Sequence, residues 1–235
     1  MREIIHSGVT LIDEWLTGVR DGGTHVLTGG PGSGKSSIAL QFADAGLQQG
    51  ESVAMLVNSR ADDTKSHARF LGLDLDTPLK SSRLLLLRYR SDFVHTASQA
   101  VSPDEVLADL DRIIASHRPK RLIIDSFAPF VSGAPPVGPF AVALAGMLER
   151  WSATTLLTFP EELSSGYDRS LEPLLHGASA VIRLVREETA VRRAELLSLR
   201  YEPPATTSRR FVIRAGVGIV CEHPARLERL TLRIP

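Results

Sequence analysis

Gly29-Gly30-Pro31-Gly32-Ser33-Gly34-Lys35-Ser36 is the stretch that decides the fold. It meets G-x-x-x-x-G-K-[ST] at every fixed position. The residue types suit phosphate. Glycines let successive backbone N–H groups turn inward and approach phosphate oxygens with no Cβ in the way. Lys35 brings a point charge to the β- and γ-phosphates, and the hydroxyl of Ser36 is an oxygen ligand for Mg²⁺. The flanks agree with the motif. Thr24 to Thr28 reads as a short apolar strand, and Lys35 to about Gln48 as a helix with Ile38, Leu40, Phe42, Ala45 and Leu47 on apolar positions. The positive end of that helix dipole then points at the bound anion. The expected nucleotide-binding set is Gly29, Gly30, Pro31, Gly32, Ser33, Gly34, Lys35, Ser36 and Ser37, with ATP or ADP and Mg²⁺ as the ligands. A hydrolase elbow G-x-S-x-G centred on Ser33 is excluded, because Pro31 and Lys35 stand where it needs glycine.

Working outward, apolar runs alternate with helical patterns. Val53 to Val57, Arg83 to Leu87, Arg121 to Ile124 and Thr154 to Phe159 read as buried strands. Asp63 to Leu71, Ser102 to His117 and Phe140 to Trp151 read as helices, the second opening on Ser-Pro-Asp-Glu. Such alternation predicts an α/β fold with a mostly parallel central sheet covered on both faces. After about residue 178 the pattern becomes strands with short loops: Ala180–Val185, Ala194–Arg200, Arg210–Arg214, Val217–Cys221 and Leu227–Ile234. These predict an antiparallel β extension at one edge of the same sheet. One domain is expected over 1–235: an entry segment at 1–23, a nucleotide-binding core at 24–178 and a β-rich part at 179–235. Ser126 to Pro139 is the longest structure-poor stretch. The strand Arg121-Leu122-Ile123-Ile124 ends in Asp125, and a carboxylate at that strand end, downstream of the phosphate loop, predicts a partner for the Mg²⁺ shell.

Composition closes off other classes. The 235 residues carry 27 Lys plus Arg against 27 Asp plus Glu, and 43% are hydrophobic, so the chain can bury a core. Cys221 is the sole cysteine, which rules out an internal disulfide framework and suits an inert strand residue. No apolar run nears the roughly 20 residues of a membrane span, and MREIIHSGVT lacks the apolar centre of a signal peptide; a soluble, cytoplasmic protein is expected. The seven histidines offer no ligand pair with a supporting acid or cysteine, so no metal other than Mg²⁺ is expected. The zero net charge is a sum of unlike parts: residues 1–185 carry 17 basic and 21 acidic residues, and 186–235 carry 10 and 6, every basic one an arginine. Only four lysines occur, Lys35 among them.

The chain resembles the RecA-like P-loop ATPases, and within them the KaiC-like branch. The resemblance begins at Ser7-Gly8-Val9-Thr10-Leu11-Ile12-Asp13-Glu14 with Gly18 and Gly22-Gly23, and runs through the loop, Ala45-Gly46-Leu47 and Phe70-Leu71-Gly72-Leu73-Asp74-Leu75. It takes in Ile124-Asp125-Ser126 and the strand at 154–159, and ends in the β-rich last third. It implies Mg·ATP binding, a homo-oligomeric ring (a hexamer in that family's manner) with ATP between subunits, and service to a protein partner in signalling, clock-related or motility systems.

Departures from the family pattern shape the functional expectation. The resemblance places a pair of glutamates after the second strand, one of which activates the attacking water. Here that place reads Asn58-Ser59-Arg60. Asn58 has no basic atom at neutral pH and orients a water at most. Asp62, Asp63 and Glu161-Glu162 are the candidate substitutes. The family's Lys-x-Arg-Gly finger is represented by Ser198-Leu199-Arg200-Tyr201, which keeps Arg200 as a candidate trans-acting finger, and Thr158 resembles the polar residue that senses the γ-phosphate. The expected function is a nucleotide-dependent oligomeric switch or scaffold with weak or no hydrolysis. An active ATPase is the first alternative and a DNA-handling RecA relative the second. Nucleic acid is disfavoured, since Ser126–Pro139 has no basic residue and Glu161–Leu175 has only Arg169 against four acids.

Overall fold

The computed structural model describes residues 3–88, 103–127, 137–160, 171–201 and 203–222. The elements are β1 (Ile4–Ile5), α1 (Thr10–Leu16), β2 (Val19–Arg20), β3 (Thr24–Gly29), α2 (Lys35–Gln48), β4 (Val53–Val57), α3 (Ala61–Phe70), α4 (Asp76–Lys80) and β5 (Leu84–Arg88). They continue as α5 (Pro103–His117), β6 (Arg121–Asp125), α6 (Val137–Trp151), β7 (Thr154–Phe159), α7 (Glu172–Gly177), β8 (Ala180–Arg186), β9 (Val191–Leu199), β10 (Ser208–Arg214) and β11 (Gly218–Cys221). Nine strands form one sheet in the order β11-β10-β9-β8-β3-β7-β6-β4-β5, and β1 pairs with β2 alone.

The parallel strands β4 and β7 are buried along their whole length, as strands with helices on both faces must be. One face packs against α1, α2 and α3 through Leu11, Trp15, Ile38, Phe42 and Ala68. The other packs against α5, α6 and α7 through Leu107, Ile114, Leu144, Met147 and Leu174. A buried arginine joins these parts. Arg121, at the start of β6 and fully buried, donates to the carbonyls of His6, Ser7 and Phe42 at 3.0 Å each and to the Glu51 carboxylate at 2.7 Å. Its guanidinium lies 4.7 Å from the centre of the Phe42 ring. A Cβ on Gly46 would sit 2.7 Å from the Arg121 side chain, so α2 has a glycine where the arginine passes. The entry segment is set by Asp13, whose carboxylate accepts the N–H groups of Ser7 (2.7 Å) and Gly8 (3.0 Å) ahead of α1.

The antiparallel extension differs from expectation at its start. β8 runs parallel to β3, with His25 paired to Ala180 and Gly29 to Leu184; the antiparallel pairing begins at β9. The reason is α7, a helix before β8 that the sequence pattern did not announce and that carries the chain back to the strand's parallel end. The pairs β8–β9, β9–β10 and β10–β11 are antiparallel. Ala194, Phe211 and Ile219 bury one face of this extension against α1 and α2. The other face carries a chain of ion pairs, Arg210–Glu187–Arg193–Glu195–Arg183. Burial first, then Glu14, pushes the Cys221 thiol up to about 11, which fits an inert cysteine. The expected strand Leu227–Ile234 lies outside the described residues, as does most of the Ser126–Pro139 stretch, whose last residues begin α6. Among the described residues no helix is long and apolar enough to cross a membrane.

Candidate nucleotide-binding site

β3 delivers the loop from the middle of the sheet. Gly29 has φ 151° and a Cβ there would lie 2.2 Å from the Leu184 carbonyl oxygen, so the loop turns away against β8 only with glycine at this place. Gly34 (φ 105°) caps α2, whose second turn starts with Ile38 N–H donating to the Gly34 carbonyl at 3.0 Å. Ser33 is buried in the turn. The Lys35 ammonium is folded back on its own loop, donating to the carbonyls of Gly29 and Gly30 (2.9 Å to the latter) and lying 3.4 Å from the Ser33 hydroxyl.

Over this loop lies a recess of about 410 Å³. Its floor is the loop from Pro31 to Ser37, and its walls come from elements distant in sequence: His67 and Phe70 of α3, Arg192 of β9 and Ile213 of β10. Phe70 is half exposed there. Arg192 donates to the Gly32 carbonyl (2.9 Å) and the Ala190 carbonyl (2.8 Å). Burial first, then the neighbouring Arg186, depresses its ionisation below the ordinary arginine range. Arg186 and Arg192 are cross-strand partners, and like charges directly opposite repel unless an anion joins them.

A second recess, about 180 Å³, opens beyond Ser36 between β4, β6 and α3. Asn58, Asp63, His67 and Asp125 border it, and Ser36 and His67 border both recesses. Asp125 ends β6. Its carboxylate accepts the Thr158 hydroxyl at 2.6 Å, and its carbonyl accepts the Asn58 N–H at 3.2 Å. Thr158 is fully buried, with its hydroxyl on this carboxylate. The Ser59 hydroxyl is bonded to that of Thr64 at 2.7 Å, and the Ser37 hydroxyl lies 3.0 Å from His67 Nε2.

Ser36, Asn58 and Asp125 thus border one recess, with Thr158 bonded to Asp125, and Ser36 links that recess to the one Lys35 borders. The structure does not bring Arg200 to them. Arg200 is exposed and its N–H donates to the Ser179 carbonyl, at the end of β9 opposite the loop; the loop end of β9 is where Arg192 pairs Arg186. Asp62 is exposed on α3 and does not border the recess, whereas Asp63 does. Glu161-Glu162 lie outside the described residues. Sequence reasoning missed Arg192, which only strand pairing carries to the loop. It also missed His67, whose signal was present as an acid and a histidine four apart on one helix.

A parallel sheet with the glycine loop at the end of its central strand, an aspartate at the end of a neighbouring strand and an antiparallel flank define a RecA-like P-loop ATPase fold. Comparison with known proteins then names the family. The family model of the KaiC ATPase matches residues 5–225, and the chain belongs to that family. Among solved structures it resembles the KaiC-like protein PH0186 of the hyperthermophilic archaeon Pyrococcus horikoshii OT3, with a TM-score of 0.77 and 23% identity over 95% of this chain and 100% of that one. No curated protein sequence matches it.

Proposed function

We propose that this protein is a Mg·ATP-dependent oligomeric switch of the cytoplasm whose hydrolysis is slow. The residues present suit the ligand. Gly29, Gly32 and Gly34 hold the positive φ angles the turn needs, the Lys35 ammonium already rests on loop carbonyls that a phosphate would replace, and Arg186 and Arg192 add positive charge beside Gly32. Ser36 and Asp125 border one recess and are hard oxygen donors, the kind Mg²⁺ takes while keeping several waters. When bound, the cation would neutralise charge on the β- and γ-phosphates. Thr158 would fix the Asp125 rotamer, and Phe70, Ile213 and Arg192 would contact the nucleoside part.

The single observation that carries slow turnover is the residue after β4. Asn58 borders the recess where the attacking water would stand, and an amide cannot take its proton; loss of general-base help costs about 10²–10⁴-fold in rate. Arg200, remote from its own loop and exposed, suits contact with a neighbouring subunit's nucleotide in a hexameric ring. Nucleotide would then set assembly. The experiment is size measurement of purified protein with and without Mg·ATP, alongside phosphate release. ATP-dependent assembly with slow release supports the proposal, and fast steady-state release, lost in Lys35→Ala, would replace the switch with a motor. The second reading, an active ATPase, is favoured by Asp63 at the recess; Asp63→Asn would then abolish turnover.

A further inference from the structure

The recess beyond Ser36 holds more chemistry than slow turnover by Asn58 alone requires. Beyond Ser36 and Thr64, the polar side chains bordering it are Asn58, Ser59, Asp63, His67 and Asp125. Asn58 has no proton-accepting atom at neutral pH, and the Ser59 hydroxyl is engaged with Thr64. The Asp125 carboxylate receives Thr158 and is assigned to the cation. Asp63 and His67 remain, four apart on α3 and so on one face of the helix.

They are not equivalent. Asp63 is exposed and borders only the outer recess. His67 is half-buried and, with Ser36, borders both recesses, so it stands at the junction between the recess over the phosphate loop and the one that Asn58 and Asp125 border. Its Nε2 lies 3.0 Å from the Ser37 hydroxyl oxygen, in the first turn of α2. With the proton on Nε2 donated to that hydroxyl, Nδ1 carries a lone pair for a second partner. Burial holds the ring below the ordinary histidine range, against the opposing pull of Asp125. The charged groups facing it are Asp125 from β6, Asp63 from its own helix, and Lys35 and Arg192 across the phosphate recess.

We propose that His67 is the base for the attacking water, a catalytic residue that gives this site its slow turnover in place of the absent glutamate. The step balances. The water oxygen bonds to the γ-phosphorus, and the bond from that phosphorus to the β–γ bridging oxygen breaks with its electron pair leaving on ADP. The water proton passes to Nδ1 and from there to solvent. This inference rests on the Mg·ATP proposal above.

A structural role for His67, tying α3 to α2 through Ser37, is separated by the choice of variant. His67→Gln keeps an N–H donor for Ser37 but has no basic nitrogen; His67→Asn shortens it, and Ser66→Ala on the exposed side of the same helix is the control. Single-turnover phosphate release should fall about 10²-fold or more in both His67 variants. ATP affinity should hold within about threefold, and Ser66→Ala should match the unmodified chain. The proposal is overturned if His67→Gln keeps its rate within about twofold, if Asp63→Asn alone removes release, or if the unmodified protein binds Mg·ATP and releases no phosphate. Binding is measured separately with a fluorescent ATP analogue plus Mg²⁺. Absence of binding would sink the nucleotide proposal and this one with it, whereas binding without a His67 effect sinks this one alone.

Discussion

The parallel part of the sheet and its antiparallel flank are held by different physics. In the parallel part both faces are covered, and its polar groups are internal: Arg121 is spent on three carbonyls and one carboxylate, and Asp125 on Thr158. In the flank, among the described residues, α1 and α2 cover one face, and the other carries a ladder of partly exposed arginine–glutamate pairs. The nucleotide site lies on the seam. The loop and the carboxylate come from the parallel part, and Arg192 and Ile213 come from the flank.

This contrast can be broken most severely at Lys35. Lys35→Ala should weaken Mg·ATP binding by 100-fold or more, on the order of 3 kcal/mol, because it removes the ammonium that the phosphate loop presents to the anion. Titration with a fluorescent ATP analogue checks it, and retained affinity would move the site elsewhere. Arg121→Ala should be the costliest change to stability, about 3–5 kcal/mol, since it leaves Glu51 and three carbonyls without their donor. Urea unfolding measures it, and a loss comparable to a surface substitution would mean the parallel part is not stiffened in this way.

Acid tests the same region. His25 on β3 is buried, accepts the Arg20 N–H at 3.1 Å, and is held down at about 4 from an ordinary 6.5, chiefly by burial. The folded protein keeps it neutral while the unfolded chain protonates it. Its contribution is therefore complete above about pH 6.5 and is lost as pH falls toward about 4, a decline of about 3 kcal/mol. Urea titrations from pH 7 to pH 4 should show that slope, and His25→Gln should flatten it. The smallest effect belongs to the flank. Glu187→Gln removes two exposed pairings, and its melting temperature should shift by about a degree or less, disappearing in 1 M salt. A large shift would show that the ladder carries the flank.

The sequence made the parallel part legible because its strands are buried on both faces and appear as unbroken apolar runs: Val53–Val57 and Thr154–Phe159 were bounded to the residue. The loop and Asp125 were legible because their chemistry fixes residue type at fixed spacing. The flank was less so. Nothing local in Ala180–Arg186 states whether it runs with or against β3; direction came from α7, six residues long with a proline at its second position, which no periodicity reveals. Arg192 reached the site through pairing with β8, a contact that one-dimensional pattern does not encode. Helix α4, five residues around Pro78, was missed for the same shortness.

The central claim, that the protein binds Mg·ATP as a switch and turns it over slowly, meets its most direct test in phosphate release at saturating ATP from a sample whose ATP occupancy has been measured. Full occupancy with release far below the roughly 10 s⁻¹ of a typical enzyme is the predicted result. Full occupancy with release at that rate, abolished by Lys35→Ala, would contradict it.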